Sequence, residues 1–181
     1  MKKILILSIA LIIANIVFAQ KILTRSGTIK FDASMPNFVE IVGKSNTVSA
    51  ILDEATGNFA SSAIIKSFRF KSPLMEEHFN ENYLESSKFP NSTFKGKIVG
   101  FDAKKLSTAK TAYDVEGDLT LHGVTKKIKT KIYISLDGSR VVIKGNFSVH
   151  AQDYNIEIPS LVKENFAEQI KIILDFDLET K

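Results

Sequence analysis

The chain has 181 residues, with 24 Lys or Arg against 20 Asp or Glu for a formal net charge of +4, and it contains neither cysteine nor tryptophan. A chain of about 150 residues buries roughly 68–70% of its unfolded surface, so one domain of this size holds a core without staples. The missing cysteines exclude disulfides, thiolate nucleophiles, Cys-ligated zinc and iron–sulfur clusters. Setting Lys2 and Lys3 aside leaves 22 basic against 20 acidic residues, which is no nucleic-acid footprint.

Residues 1–19, MKKILILSIALIIANIVFA, read as a secretory leader: Lys2-Lys3, then an apolar run from Ile4 to Ile13, then Val17-Phe18-Ala19 before Gln20. The alternative is an uncleaved anchor, but the run is shorter than the ~20 residues that span a bilayer. The mature domain is expected to be residues 20–181, exported to the periplasm or secreted.

Beyond the leader, Gly, Pro, Asn and Asp punctuate segments of period two at 26–31, 38–53, 59–71, 92–102, 111–123, 124–137, 139–151 and 168–180. Eight such segments predict an all-β protein, a barrel or a sandwich. Faces can be assigned. Val115, Gly117, Leu119 and Leu121 share one side of their strand; Ile128, Thr130, Ile132 and Ile134 turn inward on the next, with Lys127, Lys129, Lys131 and Tyr133 outward. Asp137-Gly138 marks a hairpin, followed by an inward row of Val141, Ile143, Gly145, Phe147 and Val149. The last strand carries Ile170, Ile172, Leu174, Phe176 and Leu178 on one face.

One stretch departs from period two. Met75, Phe79 and Tyr83 recur every four residues, behind Ser72 as an N-cap and Pro73 at the first helical position. A short helix between strands is predicted, its apolar face laid on the open end or wall of the sheet. The segment 160–169, SLVKENFAEQ, reads as a loop or a single helical turn.

Catalytic patterns are missing: there is no H-E-x-x-H, G-x-S-x-G, GxGxxG or P-loop spacing, and no isolated pair of acids suits glycoside hydrolysis. Neither a catalytic group, a metal site nor a cofactor is therefore assigned. His122 is expected to be a turn residue bonding nearby backbone, His78 to sit on the helix boundary and His150 at a strand end. Glu76 and Glu77 suit a helix N-terminus. The row Lys127, Lys129 and Lys131 is either a solvated outer face that guards against edge-to-edge pairing or a patch steering toward anionic headgroups.

Thirteen phenylalanines suit a solid core, or the wall of an eight-stranded barrel wide enough for one small ligand. The expected apolar lining is Phe31, Phe68, Phe70, Phe94, Phe147 and Phe176, with Met75, Phe79 and Tyr83 from the helix and Ile98, Leu119, Leu121 and Ile132 from the strands.

Two stretches carry a resemblance to a known family. GDLTLHGVTKKIK, residues 117–129, resembles the signature of the YceI-like family, and MEEHFNENYLESSKFPNSTFKGKI, from Met75, resembles its helix-and-strand segment with a KFP and TF pattern at Lys88, Phe89, Pro90, Thr93 and Phe94. The resemblance implies an exported lipocalin-like, eight-stranded antiparallel β-barrel with a short helix between strands. It also implies a non-enzymatic protein that binds a long-chain lipid or isoprenoid, such as an isoprenoid quinone. Transient contact with a membrane surface fits that reading, and a homodimer stays open. The competing reading is a ligand-free envelope or stress protein with a solid core.

Overall fold

Alternation of apolar and polar residues gives each strand one dry and one wet face. The computed structural model describes residues 21–180, so the leader at 1–19 lies outside the described residues. The strands are β1 (Lys21–Ser34), β2 (Val42–Asp53), β3 (Asn58–Ile64), β4 (Asn91–Ile98), β5 (Thr111–Leu121), β6 (Val124–Asp137), β7 (Arg140–Val149) and β8 (Phe166–Thr180). They pair in chain order, every pair antiparallel, and β1 also pairs with β8 to close the barrel.

Four strand predictions are corrected at their ends, the 38–53 segment being a strand only from Val42 and the 92–102 segment only as far as Ile98. β1 begins five residues before the expected segment at 26–31, because it must reach both β2 and β8 along the barrel's height. The 59–71 segment stops being a wall at Ile64, where a 3₁₀ turn at Ile65–Ser67 leads the chain over the barrel's end. Arg69 then returns to β2 through a lone bridge to Lys44, whose two backbone hydrogen bonds are 3.0 and 2.9 Å.

Odd-numbered strands run toward an upper end that carries the 35–41 loop, the 65–90 connection, the His122-Gly123 turn and the 150–165 segment. Near the lower end the barrel is solid: Ile22, Leu52, Ile98, Ile134, Ile143 and Leu178 are each at most 3% exposed. Above them Phe59 stands between Phe94 and Phe176, ring centroids 6.1 and 6.0 Å away. Gly96 and Gly117 face each other across β4 and β5, and the ring of Phe94 lies over both.

Closure also settles why lysines line β6. A closed barrel has no free edge, so edge protection is not their role. Register places Asp114, Glu116 and Asp118 of β5 opposite Lys131, Lys129 and Lys127. Lys131 reaches Asp114 at 2.7 Å, Lys127 reaches Asp118 at 3.2 Å, and Lys129 lies 3.9 Å from Glu116. The hydrogen bond holds Asp114 below the usual carboxylate range and lifts Lys131 above the usual amine range. The same device continues on β7 and β8, where Lys144 meets Asp175 at 2.7 Å. The row is a ladder of cross-strand ion pairs, each worth little alone in water.

Candidate ligand-binding cavity

Above the Phe59–Phe94–Phe176 floor the barrel is hollow. The cavity holds about 350 Å³ and opens at the upper end. Its strand-borne wall includes Phe31, Phe94, Leu119, Leu121, Ile132, Phe147 and Phe176, each on the inward face that period two assigns. Ile98, expected on this wall, lies below the floor in the solid end of the barrel, fully buried and away from the hollow. It shares a face with Phe94, and only its position four residues further down β4 separates the two.

The helix supplies the cover. Ser72 caps α1 (Pro73–His78) by accepting from the Met75 N–H at 3.5 Å, with Pro73 in the first turn, as its sequence predicts. At Phe79–Tyr83 the helix widens into a π turn closed by the Leu84 N–H on the Phe79 carbonyl at 2.9 Å. That extra residue per turn carries Leu84 into the interior beside Phe79 and Tyr83, a position that four-residue spacing does not pick out. Phe79 is clamped in a phenylalanine cluster with Phe31, Phe70 and Phe68 at centroid distances of 5.2, 5.0 and 5.7 Å. Met75 and Tyr83 border the hollow on either side of it.

The 150–165 segment does more than end a strand and loop back. A 3₁₀ turn at Ala151–Tyr154 buries Tyr154 to 2% exposure, and Ile156 and Ile158 then reach the cavity. The alternation Tyr154, Ile156, Ile158 is the sequence signal for this excursion. Short 3₁₀ geometry appears at Lys163–Asn165, in line with the single helical turn that is one of the two expectations for 160–169.

Polar groups are few on this wall. Ser92 donates to the Thr120 carbonyl at 3.0 Å and Thr130 to the Asn146 carbonyl at 3.3 Å, so both are spent on the barrel. His78, Tyr83 and Asn165 stand at the mouth. Burial pushes the Tyr83 phenol above its usual range, which keeps it a hydrogen-bond donor. The chemistry available is shape and desolvation, with a polar end near the opening. Among the described residues no cluster of three or more His, Asp or Glu is placed to hold a metal ion.

His122 proves to be a long-range tie instead of a local one. His122 and Gly123 both take positive φ, 49° and 74°, the two-residue turn whose twist suits a hairpin. The imidazole is turned inward, its Nδ1 3.0 Å from the Tyr154 carbonyl and its Nε2 2.8 Å from the Glu85 carboxylate. Phe89 packs edge-on against the ring at 4.6 Å and lies where a Cβ on Gly123 would fall, at 2.5 Å. The HG and KFP stretches therefore meet in one contact. It fastens the end of the helical cover, the β5–β6 turn and the 150–165 segment together. His122→Ala should cost about 2 kcal/mol, since it leaves the Tyr154 carbonyl without its partner and empties a buried site, while the half-exposed Glu85 carboxylate returns to water. Urea denaturation measures this, and a midpoint equal to that of the unaltered protein would refute the tie.

A closed antiparallel barrel, blind below and open above, with an apolar interior, defines the class of eight-stranded barrels with room for one small ligand. The chain belongs to the YceI-like family: the model of the YceI-like domain matches residues 21–178. A relative described as a UPF0312 protein of Pseudomonas savastanoi pv. phaseolicola is 27% identical over 140 residues, which is 74% of this chain and 60% of that protein. The match thus spans under two thirds of that relative's length. Among solved structures, a polyisoprenoid binding domain from Saccharophagus degradans, implicated in plant cell wall breakdown, superposes with a TM-score of 0.76 at 16% identity. It covers 90% of this chain and 99% of that one. BcnA of Burkholderia cenocepacia gives a TM-score of 0.70 at 16% identity, covering 85% and 96%. At such identities the likeness is one of fold.

Proposed function

We propose that this protein carries or stores one long apolar amphiphile, an isoprenoid or related lipid, without chemical change to it. The observation that carries the reading is the hollow itself: about 350 Å³, almost wholly apolar, blind at one end. A solid-core protein would fill that space with its own side chains, as the lower half does. The volume is at the small end of ligand pockets, which run from ~300 to ~1,000 Å³, so a long chain must fold or leave its head outside the mouth. Burying about 300 Å² of tail would contribute ~7 kcal/mol before the costs of ordering.

The name of the Saccharophagus degradans domain supports the ligand class. One barrel builds the whole hollow, so the reading needs no second copy. In this reading the chain works on the exported side of the membrane, periplasmic or secreted, delivered by the leader at 1–19 and touching the membrane only to exchange cargo. Solvent extraction of the purified protein followed by mass spectrometry tests it. One lipid per chain is the expected result; an empty protein that also takes up no long-chain probe would sink the proposal.

A further inference from the structure

Single exposed apolar side chains are ordinary on protein surfaces and need no explanation, whereas a gathered set does. Met35, Phe38, Val39, Leu74 and Leu161 gather at the upper end on three separate connections. Leu161 is 93% exposed, and Phe38, Val39 and Leu74 are 52%, 59% and 59% exposed. Each connection also reaches inside, since Val39, Met75 and Val162 line the hollow. Apolar surface therefore runs from the outer tips through the mouth to the wall. The Met35 N–H donates to the Asn165 carbonyl at 3.4 Å, which joins two of the three connections into one lip.

This end carries no basic excess: the three connections hold five Lys or Arg against eight Asp or Glu. Lys71 pairs with Glu40, Arg69 with Glu76 at 2.8 Å, and Lys163 stands beside Glu164 in the chain. The lysine row on β6 offers no alternative patch, because carboxylates of β5 lie along it. Anionic headgroups would therefore not be selected here.

We propose that this ring of Met35, Phe38, Val39, Leu74 and Leu161 docks the protein, mouth first, on an uncharged lipid bilayer. The side chains at the tips enter the boundary between headgroups and acyl chains, a depth of roughly 5–10 Å for apolar groups that lie in the interface. The opening then faces hydrocarbon, and cargo passes without crossing water. The inference rests on the reading of the hollow as a lipid site, since only a water-insoluble cargo needs such a path. A second copy of the chain on the same ring would seal both mouths against each other, which suits a carrier poorly.

The chain from Gln20 serves for the test, because residues 21–180 close the barrel by themselves. It is stripped of lipid and floated with vesicles of phosphatidylcholine alone, and with vesicles that also contain phosphatidylglycerol, at low and high salt. Two variants run beside it: Phe38→Ser with Leu161→Ser, and Lys127→Gln with Lys129→Gln and Lys131→Gln. All five substituted side chains are exposed, and circular dichroism checks that both variants fold. The expected result is flotation that high salt leaves unchanged and the lysine variant retains. The double variant should lose it by on the order of 100-fold, about tenfold for each large apolar side chain kept in water. Binding only to anionic vesicles and only at low salt would overturn the proposal. So would equal flotation of the double variant, or a dimer that depends on Phe38 and Leu161 and does not float. Any of these together with lipid in the extracted protein leaves the cargo reading standing. Flotation as expected from a protein that takes up no lipid removes the cargo reading alone.

Discussion

Gly117→Val is expected to destabilise the barrel by at least about 4 kcal/mol, enough to leave a marginally stable domain unfolded. A Cβ at this position would lie 2.4 Å from the Lys95 carbonyl oxygen, 2.5 Å from the Gly96 Cα and 2.8 Å from the Phe94 ring. The first two are backbone atoms of the paired strand and cannot move without opening the β4–β5 ladder. Phe94 cannot retreat either, because it packs on Phe59 in the floor of the hollow. Gly145→Ala is the control. Its Cβ would meet the Ile132 methyl at 3.0 Å and the Lys131 carbonyl at 3.3 Å, a fit that small shifts accommodate at about 1 kcal/mol. Urea denaturation of both variants gives the comparison. Equal midpoints would show that the glycine pair is not what lets Phe94 lie flat.

Ser61→Trp is expected to abolish cargo binding while the barrel stays folded. Ser61 faces the hollow from β3, between Phe59 and Ala63, and an indole there occupies space the ligand needs. Filling a void facing no packed neighbour avoids the strain that overpacking brings to a dense core. Uptake of a long-chain fluorescent probe should fall by more than about 100-fold, a cost of ~3 kcal/mol. The melting temperature should change by only a few degrees. Ile172→Trp, on β8, tests the same space from another wall. Unchanged uptake by both folded variants would place the ligand elsewhere.

Much of the wall is legible in the order of residues along the chain. Val115, Leu119 and Leu121, or Ile128, Thr130 and Ile132, face one way because consecutive side chains on a strand must alternate, and that rule needs only neighbours in the chain. The N-cap at Ser72 is equally local. The π turn leaves no such mark, since Phe79–Tyr83 has ordinary helical spacing and only the clamp on Phe79 from Phe31, Phe68 and Phe70 rewards the extra residue that brings in Leu84. His122 is legible as a turn residue and illegible as a tie. Its partners Glu85 and Tyr154 lie 37 and 32 residues away.

Eight strands, their inward faces, the capped helix and the two stretches that mark the family are all set within short windows of the chain, because each follows from local periodicity or from motif. Which inward side chains pack and which border empty space is set only when the barrel closes. Ile98 and Phe94 share a strand and a face, yet Ile98 is packed in the solid lower end and Phe94 borders the hollow, because height along the barrel axis separates them. Height, closure and the three connections that meet at the mouth depend on residues far apart in the chain, and no window of sequence contains them.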